Sequence, residues 1–539
     1  MTTTTTTDFD RILAFLQQPA SYPHHPLRVE IRQTHASVIA IVPPYVYKVK
    51  KRVDLGFLDF RSLADRKANG EREIRLNSRL CAEIYLGIVP ITRQPDGGLA
   101  FGAEGEVVDY ALHMKQLPAG FFLDELLKKG SLTPSTLEPV LVLLADFYTK
   151  QPPDPAIAGN GDIAHLRANS DENVHTLQQF AGDTIHPVAL RAIRQFTEQF
   201  YEQQRPLLEK RTHENRIKDG HGDLHLEHIH VRDGKVSIYD CVEFNDRFRY
   251  LDVASDIAFL VMDFDFHQRP DLARYVTDRM ARLLNDPDMG SLMDFYQCYR
   301  ACVRAKVDSI RSREPEVPAS ERQQSHEKAV RYGQLALRYA TLGSGPAVIM
   351  VGGRVGSGKS TLARQLADLL GADYLSSDVV RKKQAHIPPH ERTTPEEKVV
   401  LYAAGQKDHV YDSLLRNTLE GIQEGRICVV DATFGQSTNR ALFTEALIRQ
   451  GVPYYFLEAQ ASETTIRQRL KQRDQQPHVV SDARLADFDR LNQAYQAPTE
   501  ILKPHYRAIS TETSPDGGLA ASLYQLRTDS QDAHYRVEE

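Results

Sequence analysis

The first part of the chain alternates hydrophobic and polar residues in a way that predicts short strands around one helix. Residues 27–51, LRVEIRQTHASVIAIVPPYVYKVKK, are rich in Val and Ile and are broken by THAS and PPY, which is typical of two or three antiparallel strands. Residues 59–84 place apolar side chains at helical spacing among many charges. Residues 106–117, EVVDYALHMKQL, return to a strand pattern. This order of elements predicts an α+β lobe.

The middle of the chain is predicted to be helical, with one interruption. Apolar residues recur at helical spacing from about residue 120 to about residue 215. Residues 219–231, DGHGDLHLEHIHV, break this pattern, and residues 235–244, KVSIYDCVEF, have the pattern of a short strand and a turn. Because loops on a rigid scaffold often carry functional residues, this interruption is a candidate site.

The C-terminal part of the chain has a different organisation. Strand-like and helical segments alternate from about residue 345 to about residue 510, which predicts a parallel α/β sheet. The residues GSGP at 343–346 indicate a boundary near 342. We therefore expect two domains, in the segments 1–24 (tail and first helix), 25–310 (N-terminal α+β domain), 311–344 (linker or helical connector), 345–510 (C-terminal α/β domain) and 511–539 (tail).

Composition and charge narrow the class of protein. The chain has 539 residues, of which 41% are hydrophobic and 26% are charged, and its net charge of −6 provides no general basic field for nucleic acid or anionic lipid. The five cysteines include no CxxC pair, which favours reduced thiols over disulfides or a zinc site. The chain has no secretory signal pattern and no apolar run of about 18 residues. We expect a soluble cytoplasmic protein with no membrane partner; the sequence does not indicate its oligomeric state.

A phosphate-binding motif lies at the start of the C-terminal domain. Residues 353–360, GRVGSGKS, match the pattern G-x-x-x-x-G-K-[ST] directly after an apolar strand and before a helical stretch. In this context backbone N–H groups bind phosphates, Lys359 reaches the β and γ oxygens, and Ser360 binds Mg²⁺. The predicted ATP-binding residues of this motif are Gly353, Gly356, Ser357, Gly358, Lys359, Ser360 and Thr361.

Charged residues at the ends of two other predicted strands complete a candidate transfer site. Asp431 ends the apolar stretch RICVVD and is predicted to bind the Mg²⁺ ion. Asp378 follows the strand-like DYLSS, at the sheet edge where α/β folds bind ligands. We expect Asp378 to accept a proton from a substrate hydroxyl group and Arg381 to bind an anionic group of the substrate.

Two arginines four positions apart on a predicted helix are further catalytic candidates. Arg469 and Arg473 precede a polar segment that is suited to cover ATP as a lid. Arginines in such a lid offset the charge that develops on the transferred phosphoryl group. The alternative interpretation is that both are solvated helix residues paired with neighbouring acids.

Together, the motifs GGRVGSGKST, SSDVVRK, VVDATF and RLKQR…SDA resemble those of the P-loop kinases that include polynucleotide 5′-kinases, zeta toxins and gluconate kinases. The resemblance covers about 345–510. It implies phosphoryl transfer to a hydroxyl group, with Asp378 as base, Arg381 as substrate clamp, and Arg469 and Arg473 as lid residues. It does not select the substrate, because sugar, nucleotide and RNA kinases share this layout.

The interruption at 219–231, HGDLHLEH with Asp240 in the following SIYDCVEF, resembles the aminoglycoside phosphotransferase and choline kinase branch of the protein-kinase-like fold. The resemblance extends over roughly 25–310. It implies that Asp223 acts on the acceptor hydroxyl group, and that Asp240 and the residue at position 228 bind metal. The same resemblance implies that Lys48 binds the ATP phosphates and that Glu73, on the following helix, is the partner of Lys48.

Some of these assignments have alternatives within the sequence. Lys50 shares a strand face with Lys48, so the strand register decides between them, and Glu71 is the next candidate after Glu73. Asp252 and Asp256 are expected to cap the following helix or to brace the loop. His221 and His225 are expected to shape the loop, because phosphoryl transfer depends mainly on positioning and electrostatics.

His228 departs from the pattern of the resembled family, which has Asn at this position. Mg²⁺ prefers oxygen ligands, so the substitution weakens the expected second Mg²⁺ site. Three interpretations remain open: catalysis with one metal held by Asp240, a site for a softer ion such as Mn²⁺, or a nucleotide-binding lobe with little turnover. Glu243 is a candidate for the missing oxygen ligand.

The motifs support three hypotheses about function. The first is an ATP- and Mg²⁺-dependent phosphotransferase that acts on a small-molecule hydroxyl substrate, with a second kinase-like site in the N-terminal domain. The second is a regulatory protein gated by nucleotide, in which ATP hydrolysis acts as a switch. The third is a polynucleotide 5′-kinase, which the acidic net charge disfavours.

Overall fold

The computed structural model describes most of the chain. The described residues are 8–34, 36–53, 60–102, 104–388, 391, 393–394, 397, 401, 406–475, 481, 483–512, 519 and 523. As far as these residues extend, the chain forms two compact units built from separated segments. The first unit contains Met1–Leu166, Pro206–Asp263 and Leu272–Ser291, and the second contains Arg167–Arg205, Phe264–Asp271 and Leu292–Glu539. The domain boundaries expected from the sequence stay predictions.

The helices and strands occur in the order that the sequence patterns predict. The helices are α1 Asp8–Leu16, α2 Leu63–Cys81, α3 Leu123–Lys128, α4 Pro134–Thr149, α5 Pro155–Ala158, α6 Ile163–Gln178, α7 Pro187–Gln203, α8 Arg205–His213, α9 Val253–Phe266, α10 Pro270–Leu283, α11 Met289–Arg311, α12 Ala319–Thr341, α13 Lys359–Leu370, α14 Ser377–Gln384, α15 Gln406–Gln423, α16 Ser437–Arg449, α17 Glu463–Asp474 and α18 Phe488–Gln493. The strands are β1 Glu30–Gln33, β2 Ser37–Val42, β3 Tyr45–Lys50, β4 Tyr85–Arg93, β5 Leu99–Phe101, β6 Glu106–Lys115, β7 Ile217–Asp219, β8 Ile229–Arg232, β9 Lys235–Ile238, β10 Tyr250–Asp252, β11 Val348–Gly352, β12 Asp373–Ser376, β13 Cys428–Asp431, β14 Tyr454–Gln460 and β15 Tyr506–Ser510. Of the helices in the described part of the chain, none has the length and apolar character needed to cross a bilayer.

A six-stranded antiparallel sheet organises the first unit, in the order β1-β2-β3-β6-β4-β5. Successive side chains on a strand point to opposite faces of the sheet. On β3, Tyr47 and Val49 are therefore buried in a core with α1, whereas Lys48 and Lys50 point to the other face and reach Glu73 on α2. The period of the strand thus places two lysines together on the face that carries the candidate site.

A five-stranded parallel sheet organises the second unit, in the order β12-β13-β11-β14-β15. The central strand β11 is buried along its whole length, as its uninterrupted apolar sequence predicts. Because all five strands are parallel, their carboxyl ends lie at one edge of the sheet. The phosphate-binding motif after β11, Asp431 at the end of β13 and Asp378 after β12 therefore share this edge. The structure confirms the predicted fold classes, an α+β part followed by an α/β part whose parallel sheet carries the phosphate-binding motif.

A buried carboxyl group in the second unit makes stability depend on pH. Asp265 is 8% exposed and accepts hydrogen bonds from the Tyr339 hydroxyl group (2.6 Å) and Gln297 Nε2 (2.9 Å). Burial raises the pKa of Asp265 to about 6, although the positive charge of Arg338 opposes this shift. Between pH 3.8 and about 6 the folded protein therefore holds a proton on Asp265 that the unfolded chain does not hold. The stability that this proton provides is lost as the pH rises through that range.

We expect Asp265→Asn to remove this pH dependence, because the amide oxygen still accepts both hydrogen bonds but carries no charge. Above pH 6 the variant should be more stable than the wild type by about 3 kcal/mol, the free energy of roughly two pKa units. Urea unfolding measured between pH 4 and pH 8 tests this expectation, with the exposed Asp368→Asn as the control. A stability difference that does not change with pH would contradict it.

Candidate active sites

The phosphate-binding motif forms a tight loop between β11 and α13. Gly356 and Gly358 adopt φ values of 77° and 94°, a region that residues with a Cβ atom rarely occupy. A Cβ atom at Gly358 would also lie 3.0 Å from Thr511 Oγ1 and 3.2 Å from Arg469 Nη1. The glycines therefore allow the backbone to close around a phosphate group, with Lys359 and Ser360 in the first turn of α13.

Arg469 on α17 is hydrogen-bonded to this loop. Its Nη1 donates hydrogen bonds to Ser357 O (3.2 Å) and Thr511 Oγ1 (2.9 Å), and its Nη2 donates to Thr511 O (2.6 Å). The Thr511 hydroxyl group in turn donates to Ser357 O at 2.5 Å. Arg473 lies one turn further along α17 and is half-buried. The lid role of both arginines stays a prediction, since residues 476–480 and 482 of the expected lid lie outside the described residues.

The environment of Asp431 fits a divalent cation. Asp431 is 3% exposed, and its Oδ2 accepts a hydrogen bond from the Tyr374 hydroxyl group at 2.7 Å. Its Oδ1 is buried and has no hydrogen-bond partner among the described residues. A buried carboxylate oxygen without a partner is costly unless a cation or water binds to it. Asp431 and Ser360 are oxygen donors of the kind that Mg²⁺ prefers, so the residues present fit the predicted ion.

Asp378 lies beside two positive charges at the same edge of the sheet. Arg381 Nη1 donates a hydrogen bond to Asp378 Oδ1 at 2.5 Å, and the two side chains are 12% and 21% exposed. Burial alone would raise the pKa of Asp378, but the charges of Arg381 and Lys359 outweigh it and lower the pKa below its ordinary value. The candidate base is therefore ionised at neutral pH, and the candidate substrate clamp is bonded to it in this structure.

The site of the first unit contains two lysines that share one glutamate. Lys48 Nζ donates to Glu73 Oε1 and to Asp240 Oδ1, both at 2.9 Å. Lys50 Nζ donates to Glu73 Oε2 at 2.5 Å and to Glu243 Oε1 at 2.6 Å. Burial alone would raise the pKa of Glu73, but the two lysine charges outweigh it and lower the pKa. These five charged groups form one network in which each lysine is paired with two carboxylates, because buried charges need partners of opposite sign.

Only one of these lysines faces an open cavity. Lys48, Glu73 and Asp240 line a cavity of about 590 Å³ whose walls include Ile39 and Met114, whereas Lys50 is buried outside the lining. This placement favours Lys48 as the phosphate-binding residue. The alternative partner, Glu71, is exposed and pairs with Lys67 on its own helix, so it does not reach the strand.

The loop at 219–231 brings its histidines close to both candidate aspartates. His228 Nδ1 lies 3.0 Å from the backbone oxygen of Asp223, and its Nε2 lies 3.7 Å from Asp240 Oδ2. Burial and the neighbouring His225 lower the pKa of His228 to about 4, so the ring is neutral at neutral pH. Glu243, the candidate for the missing oxygen ligand, is bonded through Oε1 to Lys50 in this structure. The residues present therefore do not fit the two-Mg²⁺ arrangement of the resembled family.

The two aspartates after this loop have the structural roles expected from the sequence. Asp256 accepts hydrogen bonds from the backbone N–H groups of His221 (2.6 Å) and Gly222 (3.0 Å) and from the Tyr148 hydroxyl group (2.8 Å). Asp252 accepts a hydrogen bond from the Ala254 backbone N–H group at 2.8 Å, in the first turn of α9. The predictions that these residues brace the loop and cap the helix are confirmed.

Several residues that shape the two sites had no sequence signal of their own. Thr511 lies in the segment that the sequence predicts to be a C-terminal tail, yet it contacts the phosphate-binding loop. Tyr374 orients Asp431 from the neighbouring strand. The sequence offers Lys50 as an alternative to Lys48, whereas alternate positions on one strand allow both to reach Glu73.

Comparisons with known proteins find similarity to parts of the chain. A family model described as an AAA domain matches residues 348–498. The gluconokinase of Sinorhizobium meliloti 1021 is 17% identical and covers 35% of this chain and 97% of its own, with a TM-score of 0.25. The GDP complex of aminoglycoside 2′-phosphotransferase-IIIa is 11% identical and covers 60% of this chain and 98% of its own, with a TM-score of 0.34.

A curated relative extends across both units. An uncharacterized protein of Mycobacterium tuberculosis strain H37Rv is 34% identical over 421 residues, which are 77% of this chain and 80% of the relative. Identity at this level over most of both chains exceeds what a shared fold alone requires. The AAA domain model matches residues 348–498 of this chain, and the chain belongs to the same protein family as this mycobacterial relative.

Proposed function

We propose that this protein is an ATP- and Mg²⁺-dependent phosphotransferase whose second unit transfers the γ-phosphoryl group to a hydroxyl group of a small molecule. One observation carries the proposal: the half-buried carboxyl group of Asp378 lies at the same carboxyl edge of the sheet as the phosphate-binding loop and is bonded to Arg381 at 2.5 Å. A nucleotide switch needs the phosphate-binding loop but needs no base beside it. A transferase needs both, because its acceptor hydroxyl group must lose a proton.

In the proposed reaction the residues of the second unit have separate roles. Backbone N–H groups of the loop and the N-terminus of α13 bind the phosphates, and Lys359 binds the β and γ oxygens. Ser360 and Asp431 would hold Mg²⁺, which neutralises phosphate charge when bound. The oxygen of the acceptor hydroxyl group bonds to the γ-phosphorus while Asp378 accepts the proton of that hydroxyl group. The bond between the γ-phosphorus and the β,γ-bridging oxygen breaks, which releases ADP. Arg381 exchanges its bond to Asp378 for an anionic group of the substrate.

For the first unit we propose a nucleotide-binding cleft rather than a second full transfer site. The apolar walls of the cavity suit a nucleotide base, and Lys48 in its lining suits phosphate groups. Asp240 is paired with Lys48, and position 228 offers a nitrogen ligand where Mg²⁺ prefers oxygen. Both features disfavour binding of the usual pair of Mg²⁺ ions.

Transfer from γ-labelled ATP to pools of small-molecule hydroxyl compounds and to a 5′-hydroxyl oligonucleotide tests the proposal. Lys359→Ala should abolish labelling of the acceptor, whereas Asp223→Ala should retain it, because Asp223 lies in the first unit. Label released only as inorganic phosphate would support the nucleotide-gated switch. Labelling of the oligonucleotide alone would support a polynucleotide 5′-kinase, and loss of transfer only in Asp223→Ala would assign catalysis to the first unit.

A further inference from the structure

Three side chains of the loop at 219–231 converge on one point in the first unit. Asp223, His225 and His228 each offer one metal-ligand atom, and these atoms all lie within 4.8 Å of one another. Asp223 Oδ2 lies 3.5 Å from His225 Nε2 and 3.6 Å from His228 Nδ1. Donor atoms bound to one ion at about 2.1 Å in tetrahedral geometry lie roughly 3.4 Å apart. These two distances are therefore close to those of a metal centre, and the remaining pair of donor atoms lies within 4.8 Å.

The surroundings hold these side chains in place. The imidazole groups of His225 and His228 are 6% and 13% exposed, and their ring centroids lie 3.9 Å apart. His228 Nε2 faces Asp240 Oδ2 at 3.7 Å, while Asp240 Oδ1 is bonded to Lys48. When a metal ion occupies Nδ1, it replaces the hydrogen bond of this atom to the Asp223 backbone oxygen, and the single proton of the neutral ring resides on Nε2 and points toward Asp240 Oδ2. Histidine ligands commonly have such an outer carboxylate partner, which fixes the orientation of the ring.

The donor set indicates which ions bind. Two imidazole nitrogens and one carboxylate oxygen form the set that first-row divalent transition metals occupy with further positions open. Mg²⁺ prefers oxygen ligands and keeps an octahedral shell of oxygen atoms, so it gains little from two nitrogens. The substitution of His for Asn at position 228 thus changes the preferred ion, and His225 supplies a second nitrogen.

We propose that Asp223, His225 and His228 form a binding site for a first-row divalent transition-metal ion, with Zn²⁺ among the tightest, and that water or a ligand oxygen completes its coordination. Asp223 is then a metal ligand, with Asp240 as the outer partner of His228. The proposal is independent of phosphoryl transfer in the second unit, because it concerns binding of a metal ion without ATP or acceptor.

Metal binding by the full-length, untagged protein tests this site. After treatment with a chelator, Zn²⁺ and Mg²⁺ are titrated separately by calorimetry, and Co²⁺ is added as a visible-absorption probe. We expect one Zn²⁺ ion per chain at this site, bound at least about 100-fold more tightly than Mg²⁺. His225→Gln and His228→Asn should each weaken Zn²⁺ binding about 10–100-fold and remove the Co²⁺ absorption. The exposed His213→Ala is the matched control and should bind like the wild type.

Circular dichroism shows whether the variants of the two buried histidines remain folded. If they do not, a second measurement on the wild type still tests the proposal. X-ray absorption of the Zn²⁺-loaded wild type counts imidazole ligands directly, and two such ligands are expected. Zinc binding no tighter than Mg²⁺ binding, full zinc affinity in folded His225→Gln and His228→Asn, or a bound zinc ion without imidazole ligands would each overturn the proposal.

Discussion

Replacing Asp378 with asparagine is expected to lower the rate of phosphoryl transfer by about 10²–10⁴-fold, the usual contribution of a general base. The amide oxygen can still accept the hydrogen bond from Arg381, which the wild-type carboxylate accepts at 2.5 Å. The substitution therefore removes proton-accepting capacity while changing the shape of the site little. Single-turnover measurements with labelled ATP and an acceptor found in the pool assay give the rate.

Two further measurements distinguish loss of the base from general damage. Nucleotide affinity should change little in Asp378→Asn, because the phosphates are held by the loop and Lys359, and the exposed Asp412→Asn on α15 should keep wild-type transfer. In the wild type, transfer should stay constant as the pH falls from 7 toward the ordinary carboxyl pKa of 3.8, since Arg381 and Lys359 lower the pKa of Asp378 despite its burial. Wild-type transfer rates in Asp378→Asn would show that another group accepts the proton.

Replacing Arg211 with methionine is expected to destabilise the first unit by about 3–5 kcal/mol, because two buried carboxylates lose their shared counter-ion. Arg211 is 1% exposed and donates to Asp252 Oδ1 and Oδ2 at 2.6 Å and 2.8 Å, and to Asp286 Oδ1 at 2.5 Å. Asp286 Oδ2 is already buried and has no hydrogen-bond partner within the described part of the chain. Urea unfolding followed by circular dichroism measures the loss.

The neighbouring residue on the same helix provides the matched control. Lys210 pairs with Asp288 at 2.7 Å, but the two side chains are 47% and 27% exposed. Lys210→Met should change the free energy of unfolding by less than about 1 kcal/mol, because water screens an exposed pair. Adding Asp252→Asn and Asp286→Asn to Arg211→Met should recover part of the lost stability by removing the uncompensated charges. Equal small effects at positions 210 and 211 would contradict this account.

The phosphate-binding site was more predictable than the kinase-like site because its main parts are local in the chain. A single stretch, GRVGSGKS, contains the turn glycines, the lysine and the hydroxyl ligand, and the preceding strand and following helix identify its context. The partners of Lys48 come from α2 and from the strand-turn at Asp240. Their assignment from sequence needed a family resemblance, because propensity and period carry no information about which distant elements meet.

The sequence by itself determined the order of elements, the two fold classes and the edge of the parallel sheet that carries Lys359, Asp378 and Asp431, because periodicity and short motifs are local properties. Only the tertiary structure decided between Lys48 and Lys50, bonded Arg469 to the phosphate-binding loop, and gathered Asp223, His225 and His228 around one point. These outcomes depend on strand register and on the direction of each side chain. Both are decided by packing between segments that are far apart in the chain.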